Sequence, residues 1–153
     1  MRRLILYLLS FSFFIVSCND HLKIEKNDNP PGFADSQFVG TWKITGVSSS
    51  VPWDWNGDGT SESNIYLTWT SCQKDNLFTF VGDKTGTFKL NCSTTTQGSW
   101  QIINTEYLVY QPLNLSPESE KIVTMTSVQF TTSTDISLSN GQSAIIIKTW
   151  TRQ

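Results

Sequence analysis

Histidine is almost absent: His21 is the single one in 153 residues, and it falls in a polar stretch away from any strand pattern. Ser-His-Asp and Cys-His catalysis both need an imidazole beside the nucleophile, so neither set can form around it. No glycine-rich phosphate loop follows a strand pattern, and the carboxylates Glu118 and Glu120 stand beside Pro117 in what reads as a solvated polar loop. The chain is therefore expected not to be an enzyme. Basic clusters are missing as well, since 11 Lys and Arg are outweighed by 13 Asp and Glu, for a formal charge of −2. Phosphate binding needs clustered positive charge, which excludes nucleic acid as an expected partner. Helical periodicity and βαβ spacing are lacking throughout, and the longest apolar run, Leu4 to Val16, has 13 residues. That is short of the roughly 20 residues needed to cross a hydrocarbon core.

A short apolar run behind a basic tip, Arg2-Arg3, is the pattern of a cleaved secretion signal. The run closes on Ile15-Val16-Ser17-Cys18, which resembles the bacterial lipobox: an aliphatic residue three before the cysteine, a small one just before it, and a cysteine that receives the lipid. Residues 1–17 are thus expected to be a lipoprotein signal peptide and Cys18 the lipidated N-terminus, placing the protein in the cell envelope with an outer-membrane lipid anchor. Which face of that membrane it occupies stays open. From Cys18 to Gln37 the chain is polar, contains Pro30-Pro31-Gly32 and shows no apolar period, so it reads as a flexible tether. Setting Cys18 aside leaves Cys72 and Cys92. In an oxidising compartment an even remainder predicts a disulfide, with two buried free thiols as the alternative.

Residues 38–153 carry short runs of Val, Ile, Thr and aromatic residues separated by Gly, Asn, Asp and Ser clusters, an all-β pattern. Strands are expected over Phe38–Val47, Leu77–Val81, Thr87–Asn91, around Trp100 and Ile102, over Tyr107–Gln111, over Lys121–Thr131 with a bulge near Thr126-Ser127, near Ile136 and Leu138, and over Ser143–Thr151. Asn64–Ser71 fits a strand or a short helical turn. Asn140-Gly141 tolerates positive φ and marks a hairpin, and Cys72 and Cys92 flank the hairpin built around Gly82–Gly86. The apolar stretch Ala144–Ile147 is expected to be covered on both faces. Eight or nine strands with tight connections predict a small antiparallel up-and-down β-barrel, because closure removes both sheet edges. A two-sheet β-sandwich is the alternative.

Gly40-Thr41-Trp42 resembles the Gly-x-Trp signature of lipocalins. Together with Cys72–Asn76 leading into Phe78-Thr79-Phe80, with Cys92 and with Gly98-Ser99-Trp100, it makes residues 38–151 similar to the lipocalin-like domain lipoproteins of Bacteroidota. The resemblance implies a small barrel in which Trp42 packs across the closed end, with room for one small apolar ligand. Phe78, Phe80, Phe88, Trp100, Tyr110 and Phe130 are the candidates to line that interior or to fill it. Filling them in would leave an interaction or envelope-structural protein that contacts a protein or a glycan through its loops.

The most specific local motif is Asp54-Trp55-Asn56-Gly57-Asp58-Gly59-Thr60-Ser61-Glu62. Oxygen ligands at alternate positions converge when a glycine at the sixth position allows a sharp turn, so Asp54, Asn56, Asp58, the Thr60 carbonyl and Glu62 are candidate ligands of a structural calcium ion. Ile65 stands where an EF-hand would place a bidentate glutamate. The weaker set suits the extracellular range of about 10⁻⁴ to 10⁻³ M. An Asn/Asp/Gly turn that caps its own backbone is the alternative. Trp53 and Trp55 flank the first ligand and read either as a surface contact or as a cover on the barrel mouth.

Overall fold

The computed structural model describes residues 32–153; the expected signal peptide 1–17, Cys18 and the expected tether as far as residue 31 lie outside them. Among the described residues eight antiparallel strands follow one another around a closed barrel. They are β1 (Gly40–Ser49), β2 (Leu77–Phe80), β3 (Thr85–Lys89), β4 (Thr96–Ile103), β5 (Tyr107–Pro112), β6 (Glu118–Met125), β7 (Gln129–Ser137) and β8 (Ser143–Arg152). Pairing of β8 with β1 closes the sheet, so no strand is left with an unpaired edge. This is the expected small antiparallel up-and-down β-barrel rather than a sandwich.

Alternation decides what faces inward. In β8, Ala144, Ile146, Lys148 and Trp150 share the inner face, while Ile145 and Ile147 point out and are 44% and 40% exposed. The expectation that this strand is covered on both sides is therefore wrong. In β1 the register shifts between Ile44 and Gly46, and this bulge moves the inward set from Trp42 and Ile44 to Val47 and Ser49. Gly86 and Gly98 face each other across β3 and β4. A Cβ on Gly86 would stand 2.8 Å from the Thr79 carbonyl and 3.1 Å from the Phe88 ring, so the bare backbone makes room for that ring.

Up-and-down order puts the connections of odd strands to the next even strand at one end. There lie the long stretch 50–76, with a 3-10 turn (Ile65–Thr68) and a short helix α2 (Ser71–Lys74), and the loops 90–95, 113–117 and 138–142. The other end is plugged. A one-turn helix, α1 (Asp35–Phe38), buries Phe38 against Phe130, with centroids 5.1 Å apart, and Trp42 meets the same ring at 4.7 Å. The Trp42 indole donates to the Phe38 carbonyl at 2.6 Å. Arg152 lies over the Trp42 ring at 4.3 Å and donates to the carbonyls of Gln37, Val39 and Ser127. The tether expected to reach Gln37 thus ends earlier, since Phe33 packs on the core and its N–H donates to the Thr105 carbonyl.

Three further boundaries differ. Lys121–Thr131 is two strands rather than one: Thr126 turns the chain, its hydroxyl donating to the Gln129 carbonyl and accepting from the Gln129 N–H. The irregularity in β6 lies instead between Ile122 and Thr124. β6 begins at Glu118, directly after Pro117, so the polar loop expected around Glu118 and Glu120 is strand. Proline fits there because the position ahead of a strand needs no ladder donor.

A disulfide joins Cys72 in α2 to Cys92, with Cα atoms 4.8 Å apart. The pair pins the open end of the β2–β3 hairpin, where Asn91 and Cys92 both take positive φ to turn the chain out of β3. Closing a 20-residue separation is expected to stabilise the domain by about 3 kcal/mol. Denaturant unfolding of a Cys72→Ser/Cys92→Ser variant should show that loss, and an unchanged midpoint would contradict it.

Candidate functional site at the barrel mouth

Aromatic rings fill the barrel from its closed end upward. Trp150 stacks on Phe130 at 5.2 Å and meets Phe78 edge-on at 4.8 Å; Phe78, Phe80 and Phe88 then surround Tyr110 at 5.5–6.4 Å. Phe80, Phe88 and Phe130, expected to line or fill the interior, fill it, each being at most 1% exposed. Trp100 joins them, its ring 5.1 Å from Phe80 and its N–H donating to the Val81 carbonyl at 2.8 Å.

Above this plug the interior opens. A cavity of about 350 Å³ lies at the mouth, with Ile44, Phe78, Tyr110 and Lys148 on the strand walls and Trp69, Asn76, Leu90, Leu115, Ser116 and Glu118 around the rim. Of the six aromatic candidates, Phe78 and Tyr110 are the two that line it. The long β1–β2 connection contributes Trp69 and Asn76 to the rim and is ordered by hydrogen bonds within itself. Thr70 and Gln73 cap α2 reciprocally, through bonds of 2.9 and 3.3 Å, and the Trp55 indole donates to the Thr68 hydroxyl at 2.7 Å. Trp55 therefore packs on the core at the mouth.

Beside the cavity floor sits an ionic cluster that the sequence did not announce. Glu120, 1% exposed, accepts from the Tyr110 hydroxyl at 2.8 Å and from Lys148 Nζ at 2.5 Å on one oxygen, and from the Thr132 hydroxyl on the other. Thr132 in turn accepts from the Trp150 indole at 3.0 Å. A buried charge is tolerated when paired and fully hydrogen-bonded, and here both oxygens are engaged. Lys148 is the charged member that lines the cavity, its side chain 23% exposed, and Tyr110 lines it beside the lysine. The sequence does carry a signal for these two residues: Glu120 alternates with Ile122, and Lys148 alternates with Ile146 and Trp150.

Burial, the charge of Glu120, the hydrogen bond to it and the charge of Glu118 push the Tyr110 hydroxyl well above its ordinary 10.0. The folded state therefore holds this proton more tightly than the unfolded chain does. The contribution is fully present below about pH 10 and is lost as pH rises from there toward the folded value. Wild type should unfold more readily on going above pH 10, and Tyr110→Phe should flatten that slope in urea melts at pH 9 and pH 11; equal slopes would contradict the assignment.

The Asp54–Glu62 loop stands away from this cavity. Gly57 and Gly59 take positive φ, as the sharp turn requires, and Asp54, Asn56 and Asp58 do converge. Their oxygens accept from the loop's own backbone: Asp54 from the N–H groups of Gly57, Asp58 and Gly59, Asn56 from that of Asp58, and Asp58 from that of Thr60. Among the described residues no three His, Cys, Asp or Glu side chains have metal-holding geometry. The Thr60 N–H is capped by the Asp58 carboxylate, and Glu62 pairs its backbone with Trp53 at the loop base. Hydrogen bonds from Asn56 and Thr60 lower the Asp58 carboxyl, while burial and the fields of Asp58 and Asp54 raise that of Glu62.

No protein-family profile matches the chain, and no curated protein sequence does. Among solved structures it is similar to bovine odorant-binding protein in complex with a selenium-containing odorant, at 12% identity over 78% of this chain and 73% of that one, with a TM-score of 0.42. It is likewise similar to odorant-binding protein from bovine nasal mucosa, at 14% identity over 77% of this chain and 72% of that one, with a TM-score of 0.41.

Proposed function

We propose that the protein is an envelope lipoprotein whose barrel binds a small, largely apolar molecule at its mouth. The observation that carries the reading is the cavity above the aromatic plug, about 350 Å³ with Ile44, Phe78, Leu90 and Leu115 on its walls. Sites for small ligands are concave, mostly apolar and about 300–1,000 Å³ in volume, with a few placed polar groups. Binding rather than catalysis is the role because both Glu120 oxygens are engaged by Tyr110, Thr132 and Lys148, an arrangement that fixes charge rather than moving protons. Displacement of a fluorescent apolar probe tests it: wild type should take up the probe saturably, and Leu90→Trp, which fills the cavity wall, should weaken uptake with folding intact. Uptake unaffected by Leu90→Trp would sink the reading.

Anchoring through a lipid on Cys18 is supported by the apolar run Leu4–Val16 and by Ile15-Val16-Ser17-Cys18. Expressed in a bacterial host, the chain should incorporate labelled fatty acid and Cys18→Ala should not; equal labelling of the two would remove Cys18 from the proposal. Calcium at the Asp54–Glu62 loop is supported by the oxygen spacing and by the shared field of Asp54, Asp58 and Glu62. It requires Asp54 to exchange amide partners for the ion. Calorimetry at millimolar calcium should give heat that Asp58→Ala abolishes, and no heat would leave a self-capped turn.

A further inference from the structure

We propose that the mouth cavity selects an uncharged amphiphile bearing a hydrogen-bond acceptor, such as an ester or a ketone, over the corresponding free acid; this rests on the cavity being the binding site. The cation lining the cavity, Lys148, already has its charge matched by Glu120 at 2.5 Å. The other charged group on the lining is a second carboxylate, Glu118, at the rim. One positive and two negative side chains therefore surround the place where a ligand's polar end would lie.

An ammonium offers three N–H donors and no acceptor. Among the described residues the hydrogen-bond partner of the Lys148 ammonium is Glu120 alone, and the side chain lines the cavity, so donors remain for a ligand there. A carbonyl oxygen takes one of them without adding charge. A carboxylate would take one too, but it brings a third negative charge into an apolar-walled cup beside Glu120 and Glu118, where like-charge juxtaposition is unfavourable and desolvating an ion costs more than desolvating a dipole. Tyr110 does not relieve this, because its hydroxyl is committed to Glu120.

The experiment titrates the quenching of tryptophan emission with methyl decanoate and with decanoate at pH 8, both below their aggregation limits. Wild type should bind the ester tighter by roughly ten-fold or more, given like-charge penalties of this kind. Glu120→Gln keeps an acceptor for Tyr110 and Thr132 but frees the charge of Lys148, so it should narrow or invert the preference. Lys148→Met/Glu120→Leu, which removes the pair together, should reduce the ester to the affinity of a plain alkane of similar length. Acid bound as tightly as ester by wild type would overturn the proposal while leaving the cavity as a binding site. Binding of neither would overturn both readings, and an ester-to-acid ratio unchanged in both variants would show that the ion pair does not set the selectivity.

Discussion

Replacing Glu120 by leucine is expected to lower the stability of the domain by about 3–5 kcal/mol, the range for breaking one side of a buried ion pair. The loss has named sources. Lys148 would keep its charge without a partner, and the buried Tyr110 hydroxyl would lose its acceptor. Thr132 would still accept from Trp150 but would lose the carboxylate oxygen to which its own buried hydroxyl donates. Pairing the change with Lys148→Met should recover most of the loss, because apolar replacement of a whole buried pair is often neutral or stabilising. Denaturant unfolding of the two variants should therefore give a non-additive cycle. If Glu120→Leu alone unfolded like wild type, the cluster would be incidental to the fold.

Trp42→Ala should destabilise by a similar amount, about 3–5 kcal/mol for removing a fully buried ring. The indole does three jobs at the closed end. It packs edge-on against Phe130, donates to the Phe38 carbonyl and carries the Arg152 guanidinium on its face. Arg152 holds α1 and the β6–β7 turn through backbone carbonyls, so losing its platform should loosen both. Amide exchange at Phe38, Val39 and Gln129 in Trp42→Phe, which keeps most of the ring volume, should then rise with only a modest fall in stability. Exchange unchanged at those amides would confine the role of Trp42 to filling space.

The barrel was legible in local alternation. Phe78 and Phe80 opposite Phe88, the positive-φ residues at Asn140-Gly141 and the cysteines flanking one hairpin are short-range patterns, and the pairing Phe78 with Phe88 follows from them. Trp42 at the closed end came from the Gly-x-Trp resemblance, and its ring is fully buried there. Glu120 and Lys148 were obscured for a physical reason. Each is an ordinary surface residue by type, and what permits its burial is a partner 28 positions away that meets it only when β6 and β8 close onto the same interior. Pro117 added to the error by reading as loop.

The division of the interior into plug and cup was equally out of reach, because it depends on how seven aromatic rings and two loops share volume rather than on the character of any one of them. In the Asp54–Glu62 loop the difficulty is reversed. The spacing that brings oxygens together for calcium also lets them cap their own amides, and the hydrogen bonds of Asp54, Asn56 and Asp58 take the second option.

The central claim, that a small molecule binds in the cup above the aromatic plug, is tested most directly by amide NMR shifts during titration with methyl decanoate. Saturable shifts are expected at Ile44, Phe78, Leu90, Leu115 and Lys148, with Trp42, Phe130 and the Asp54–Glu62 loop unmoved. Saturable shifts centred on the closed end or on the outer face of the sheet, or none at all, would contradict it.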